Sequence, residues 1–187
     1  MRLTPFLISV MAVMPTSAKS QSLSWQGVSP VQLGMTVKEA ERALKTKLRP
    51  RELPYNDGRC YETWRADGKD PGIGYVIQNG KITVIQVYVS NGQTPDVTDT
   101  HGLGIGATEE AIRRAFTDVK KTRGFYDRGE PATDQDTKSD PGYIPEFRIE
   151  AESPDHKRSI LFVTRANKVT SIDTGQKPMV LEPEHCI

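Results

Sequence analysis

Hydrophobic and polar positions along the chain follow a helical period, switch to an alternating one, and then do both again. After Thr36, the apolar residues Ala40, Ala43 and Leu44 recur at helical spacing; after Thr108, Ala111, Ile112, Ala115, Phe116 and Val119 do the same. Each stretch opens on a start signal. Thr36 can accept from an amide of the first turn while Glu39 completes a capping box, and Thr108 is followed by Glu109 and Glu110, which suit the positive end of a helix dipole. The pattern predicts a first helix ending near Pro50 and a second ending near Gly124. The alternating stretches come next. Ile73 to Ile77 and Ile82 to Val89 flank Asn79-Gly80, whose tolerance of positive φ predicts a two-residue hairpin turn. Ile160 to Thr164 and Val169 to Thr174 flank Asn167 in the same way, and Cys60 to Trp64 and Phe147 to Ala151 read as further strands.

The two runs superimpose. Residues 31–36 (Val-Gln-Leu-Gly-Met-Thr) fall over residues 103–108 (Leu-Gly-Ile-Gly-Ala-Thr) at an offset of 72, and Ile82, Thr83 and Ile85 fall over Val169, Thr170 and Ile172 at an offset of 87. The 15 additional residues of the second copy fall in Tyr126 to Pro145, a stretch of Asp, Gly, Pro, Ser and Thr that predicts a long surface loop. The expected fold is therefore α+β: two tandem units, each a helix or helix pair packed on an antiparallel β-sheet. The expected divisions are a leader at 1–18, a first repeat at 19–96 and a second at 97–187.

The leader is expected because Arg2 precedes an apolar stretch, Leu3 to Met14, that is too short to span a bilayer and is followed by Thr16 and Ala18 in the positions of a cleavage site. A signal peptide cut after Ala18 implies a periplasmic or secreted protein with no membrane span. Export places Cys60 and Cys186 in an oxidising compartment, where two lone thiols pair as a disulfide, too few for a closed metal site. Charge adds an exclusion. Of the 187 residues, 25 are Lys or Arg and 24 Asp or Glu, a formal net charge of +1, so the chain lacks the basic surplus that nonspecific binding to nucleic acid requires.

The segment Leu33-Gly34-Met35-Thr36-x-x-Glu39 resembles the turn that opens the helix of the small outer-membrane lipoprotein of the β-barrel assembly machinery. The tandem layout is similar to that of the β-lactamase inhibitor protein, and Cys60-Tyr61 with Glu184-His185-Cys186 is similar to uncharacterised exported bacterial proteins of that layout. The resemblance implies two helix-on-sheet units and, from the inhibitor, a partner protein bound on the sheet surface. The lipid-attachment cysteine of the assembly lipoprotein has no counterpart near the expected cleavage site.

Residues that could carry chemistry are scattered. Gly102-x-Gly104-x-x-Ala107 fits a dinucleotide fingerprint in letters only, because the first copy lacks the glycines and the strands that follow form antiparallel hairpins. Asp134, Asp136 and Asp140 cluster in the expected loop but fail the EF-hand frame, which would need Gly and Glu where Ser139 and Pro145 stand. His101, His156 and His185 share no metal or triad spacing. No catalytic residue, metal ligand or cofactor is assigned.

What remains is a surface. If Thr83, Ile85, Val87 and Val89 face the helix, then Ile82, Val84, Gln86 and Tyr88 face away, matched in the second copy by Val169, Ser171 and Asp173. Half polar and half apolar, this face suits a recognition platform built on Tyr61, Val84, Gln86, Tyr88, Ser171 and Asp173. Contact with the other sheet or cover by the long loop would account for it equally well. The expected function is a non-enzymatic binding module for a periplasmic or envelope protein. The alternatives are an envelope hydrolase or cell-wall-polymer binder using His101 or the acidic loop, and a structural accessory of envelope assembly.

Overall fold

A computed structural model of the chain describes residues 21–50, 59–125, 127 and 144–186. The expected leader at 1–18, most of the Tyr126 to Pro145 loop and the Asp134, Asp136 and Asp140 cluster lie outside the described residues.

The fold is α+β. In chain order come β1 (Gln21–Ser24), β2 (Gly27–Val28), β3 (Val31–Gln32), α1 (Val37–Leu44), β4 (Leu48–Pro50), β5 (Cys60–Arg65), β6 (Ile73–Gln78), β7 (Lys81–Tyr88), β8 (Val97–Thr98), α2 (Glu109–Ala115), β9 (Val119–Arg123), β10 (Glu146–Glu152), β11 (Arg158–Arg165) and β12 (Lys168–Gln176), then a 3-10 turn at Met179–Leu181. The expected pair of sheets is replaced by one continuous eight-stranded antiparallel sheet, ordered β4-β5-β6-β7-β12-β11-β10-β9, whose two halves join where β7 pairs with β12. Each half keeps the order helix, edge strand, three further strands. The edge-on pairing leaves a hairpin strand of each copy without solvent on either side, which a separate four-stranded unit would have exposed.

Both helices start as their sequences predict and stop earlier. The Thr36 hydroxyl accepts from the Glu39 amide, and the Glu39 carboxylate accepts from the Thr36 amide at 2.8 Å. The Thr108 hydroxyl accepts from the Ala111 amide. Before each helix the chain is pinned to the sheet alike: the amides of Gly34 and Gly106 donate to the carbonyls of Ile82 and Val169, whose own amides donate to Met35 and Ala107. Lys45 turns left-handed and ends α1, and extended Phe116 ends α2. The helices expected to reach Pro50 and Gly124 thus give way to the edge strands β4 and β9, and Val119 belongs to a strand rather than a helical stripe.

The helices and a small sheet, ordered β3-β2-β1-β8, cover one face of the large sheet. The small sheet crosses the expected boundary at 96/97, because β1 pairs in parallel with β8. Trp25 ties it to the second half, donating from its indole nitrogen to the Ala151 carbonyl at 3.0 Å and meeting Phe116 edge-on, with ring centres 5.8 Å apart. Tyr75, Ile82, Ile85, Ile112, Phe162 and Ile172 are fully buried between these layers.

Strict alternation along the central strands fails by one residue in each half. Ile77 pairs with Ile82 but Val76 pairs with Val84, leaving Thr83 extra; Thr164 pairs with Val169 but Val163 pairs with Ser171, leaving Thr170 extra. The two threonine hydroxyls donate to the carbonyls of Val76 and Val163. These bulges correct the expected facing: Ile82 and Val169 turn into the helix-side core instead of away from it. Burying two large aliphatic side chains outweighs keeping one ladder position regular.

Candidate functional site

Among the described residues, no second sheet covers the face opposite the helices. The C-terminal tail crosses it. Val180 of the 3-10 turn packs on Val76, Val84 and Leu161. Gly175 makes the contact possible, since a Cβ there would sit 2.9 Å from the Val180 Cβ and 2.9 Å from the Thr83 carbonyl. The tail is then fixed at several points. A guanidinium nitrogen of Arg148 donates to the Leu181 carbonyl at 2.8 Å, and His185 Nδ1 lies 2.9 Å from the Met179 carbonyl, which can only accept, so Nδ1 carries the proton. Cys186 is bonded to Cys60 on β5, as the two-cysteine count predicts, with their Cα atoms 5.3 Å apart and 126 residues between them.

Beyond the tail, no other described segment covers the face. Strand register sets its layout: Gln86 lies opposite Asp173, and Tyr88 lies opposite Ser171. Four of the residues expected to meet a partner therefore form one block at the seam between β7 and β12. On one side a cavity of about 270 Å³ is lined by Gln86, Tyr88, Ser171 and Asp173 with Phe125, Arg148 and Glu182. On the other a cavity of about 690 Å³ is lined by Gln86 and Tyr88 with Trp64, Arg65, Asp70 and Asn91, over a floor at Gly72 and Gly74. A Cβ at Gly74 would stand 3.4 Å from the Gln86 amide oxygen and 3.7 Å from the Tyr88 ring, so the missing side chain opens the space between them and Trp64. Arg65 shapes the far wall, its guanidinium held by Asp67 and Asp70 at 2.8 Å each.

Two expected residues are elsewhere. Tyr61 alternates onto the helix side and packs against the main core, where burial, helped by Glu41, raises its hydroxyl pKa. Val84 has the expected facing but is fully buried under the tail. Val84 is thus shut off by the tail, and half-buried Tyr61 stands on the opposite side of the sheet from the seam. Trp64, Phe125, Arg148 and His185 belong to this face and were missed as site residues. The alternation of Cys60, Glu62 and Trp64 along β5 was a usable signal for Trp64, and a glycine inside a strand, Gly175, was one for the close approach of another segment.

Electrostatics single out Asp173. Its side chain is 15% exposed, and among the described residues no hydrogen-bond donor reaches its carboxyl; His185 Nε2 is 3.9 Å away. Burial raises its pKa to about 7, partly offset by Arg148 and reinforced by Glu62. Burial also lowers the pKa of His185, against the pull of the Met179 carbonyl.

His101, the residue of the hydrolase alternative, sits in the turn before α2. The buried Asp99 carboxylate accepts from the His101 and Leu103 amides at 2.8 Å and lies 2.9 Å from His101 Nδ1, so the pair shapes the turn. The His101 ring rests edge-on against Phe116 and lines neither cavity. Among the described residues no group of three His, Cys, Asp or Glu could hold a metal ion, and no helix is long and apolar enough to cross a membrane.

No protein-family model and no curated protein matches the chain. Among solved structures it is similar to an extracellular protein containing a SCP domain from Bacillus anthracis str. Ames, at 8% identity and a TM-score of 0.42, over 93% of this chain. The chain spans about half of that structure, 52% of its length. A likeness that loose transfers neither fold nor activity.

Proposed function

We propose that this protein is an exported, non-enzymatic binding module that recognises a periplasmic or envelope protein through the open part of its tail-side sheet face. One observation carries the reading: Trp64, Tyr88 and Phe125, each 37–38% exposed, border two cavities that meet at Gln86 and Tyr88. Half-exposed aromatics beside uncommitted polar groups are the usual anchors of a protein interface, giving large contact area for little lost rotamer freedom. The disulfide supports export, since such bonds persist in oxidising compartments. The formal near-neutrality of the chain favours recognition by shape and local contacts over long-range attraction.

The test is affinity purification from the native envelope with the wild-type chain and with Trp64→Ala/Tyr88→Ala. One stoichiometric partner is expected with the wild type and none with the double variant, at an unchanged melting temperature. Equal capture by both would refute the reading.

A hydrolytic role has Asp173 in its favour, a carboxyl of raised pKa in a cavity wall. General acid–base hydrolysis also needs a second group aimed at the substrate, yet Glu146 is paired with Arg165, the His185 side chain is 2% exposed beneath the tail, and the other carboxylate of the cavity, Glu182, is exposed to solvent at its rim. The binding reading is the better supported.

A further inference from the structure

We propose that the block at the β7–β12 seam takes a basic side chain, arginine or lysine, presented by the partner protein. This deepens the reading above and rests on it.

The argument begins with what the block leaves unmet. Among the described residues, the side chains of Gln86, Tyr88, Ser171 and Glu182 make no hydrogen bond, and the His185 nitrogen nearest the Asp173 carboxyl lies 3.9 Å away, beyond hydrogen-bond range. The Asp173 side chain is 15% exposed, and an ionised carboxyl held that deep costs free energy unless an opposite charge or donor meets it. The structure has donors nearby but directs them elsewhere. Arg148, the cation in the cavity wall, donates to the Leu181 carbonyl, and Glu146 is held by Arg165. The carboxylates left facing the cavity are Asp173 at its base and Glu182 at its rim.

The walls add a second requirement. Tyr88 and Phe125 flank the same cavity as half-exposed rings. A ring face beside a carboxylate suits a cation better than a neutral or anionic group, because the ring quadrupole and the carboxylate attract the same charge. A guanidinium also supplies a planar fork of donors for the Asp173 carboxylate, whose cross-strand neighbour is Gln86. At about 270 Å³ the space accommodates one side chain, not a folded element.

Proton linkage then follows. The groups around Asp173 are Glu62 from β5, Arg148 from β10, and Glu182 and His185 from the tail. With the site empty, burial keeps Asp173 largely protonated below neutrality. A bound cation stabilises its ionised form, so binding expels a proton there.

The test uses the full chain and N-acetyl-arginine amide as probe, followed by NMR and by calorimetry at pH 6 in buffers of different ionisation heat. Expected are saturable shifts confined to the surroundings of Gln86, Tyr88 and Ser171, with net proton release. Asp173→Asn should weaken the affinity tenfold or more and abolish the release. Glu182→Gln, on an exposed rim, should weaken it about threefold and guards against any folding defect in the first variant. The neutral citrulline analogue should not bind. The proposal is overturned by absent or unsaturable shifts, by equal affinity for citrulline, by an unaffected Asp173→Asn, or by an N-acetylglucosamine oligomer saturating the site in place of arginine. The two levels of the reading fail separately. Partner capture lost in Trp64→Ala/Tyr88→Ala but kept in Asp173→Asn overturns the basic-side-chain assignment alone, whereas capture kept in both overturns the binding surface itself.

Discussion

The two faces of the large sheet are built from the same strands and differ in nearly everything else. On the helix side, Tyr75, Ile82, Ile85, Ile149, Phe162 and Ile172 are fully buried beneath helices and the small sheet. On the tail side the fully covered apolar patch is Val76, Val84, Leu161 and Val180, and beside it Trp64, Gln86, Tyr88, Ser171 and Asp173 are at least partly exposed. Alternation alone would give both faces equal weight. The contrast teaches that stability is concentrated on one face, which leaves the other free to hold groups, such as Asp173, that a core would not tolerate.

The largest effect that separates the faces is expected from Phe162→Ala, which empties the centre of the helix-side core; a loss of about 3–5 kcal/mol in chemical denaturation is expected. A loss below about 1 kcal/mol would show that the asymmetry is not real. Next is the link between the faces. Cys60→Ser/Cys186→Ser removes the covalent hold on the tail and should cost about 2–4 kcal/mol while exposing Val84 and Leu161, detectable as faster amide exchange along β7 and β11.

The third prediction has the opposite sign. The pKa of Asp173 is raised in the folded state from 3.8 to about 7, so the folded chain binds its proton more tightly than the unfolded chain does. The resulting penalty is absent below about pH 4, grows as pH rises, and is complete above about pH 7. Asp173→Asn should therefore stabilise the protein by about 2 kcal/mol at pH 8, discounted from the full shift because water still reaches the carboxyl, and by nothing at pH 4. A variant less stable than wild type at pH 8 would place Asp173 among the structural residues. Smallest is Tyr88→Ala, expected to change stability by less than about 0.5 kcal/mol because the ring stands partly free of the fold.

The sequence is legible where a local rule is strong. The Thr36 capping box, the Asn79-Gly80 turn, and the pairing of Cys60 with Cys186 all follow from neighbours in the chain or from a count of two. It misleads where alternation is taken as unbroken. A single inserted threonine per strand reverses the facing of Ile82 and Val169, and nothing local distinguishes Thr83 or Thr170 from a regular ladder residue. The helix ends were overextended for the same kind of reason, since Lys45 in a left-handed conformation and an extended Phe116 are decided by the strands that must follow them.

By itself, then, the sequence determined the two helix starts, the central hairpin strands, their duplicated order and the disulfide, because each depends on short-range geometry or composition. Only the tertiary structure decided that the two copies share one sheet, that Gly175 admits the tail over Val84, and that Gln86, Tyr88, Ser171 and Asp173 meet at the seam. Those outcomes depend on which strand edges pair and on where the last residues of the chain come to rest, contacts such as Tyr88 with Ser171 and Val84 with Val180 that no local pattern encodes.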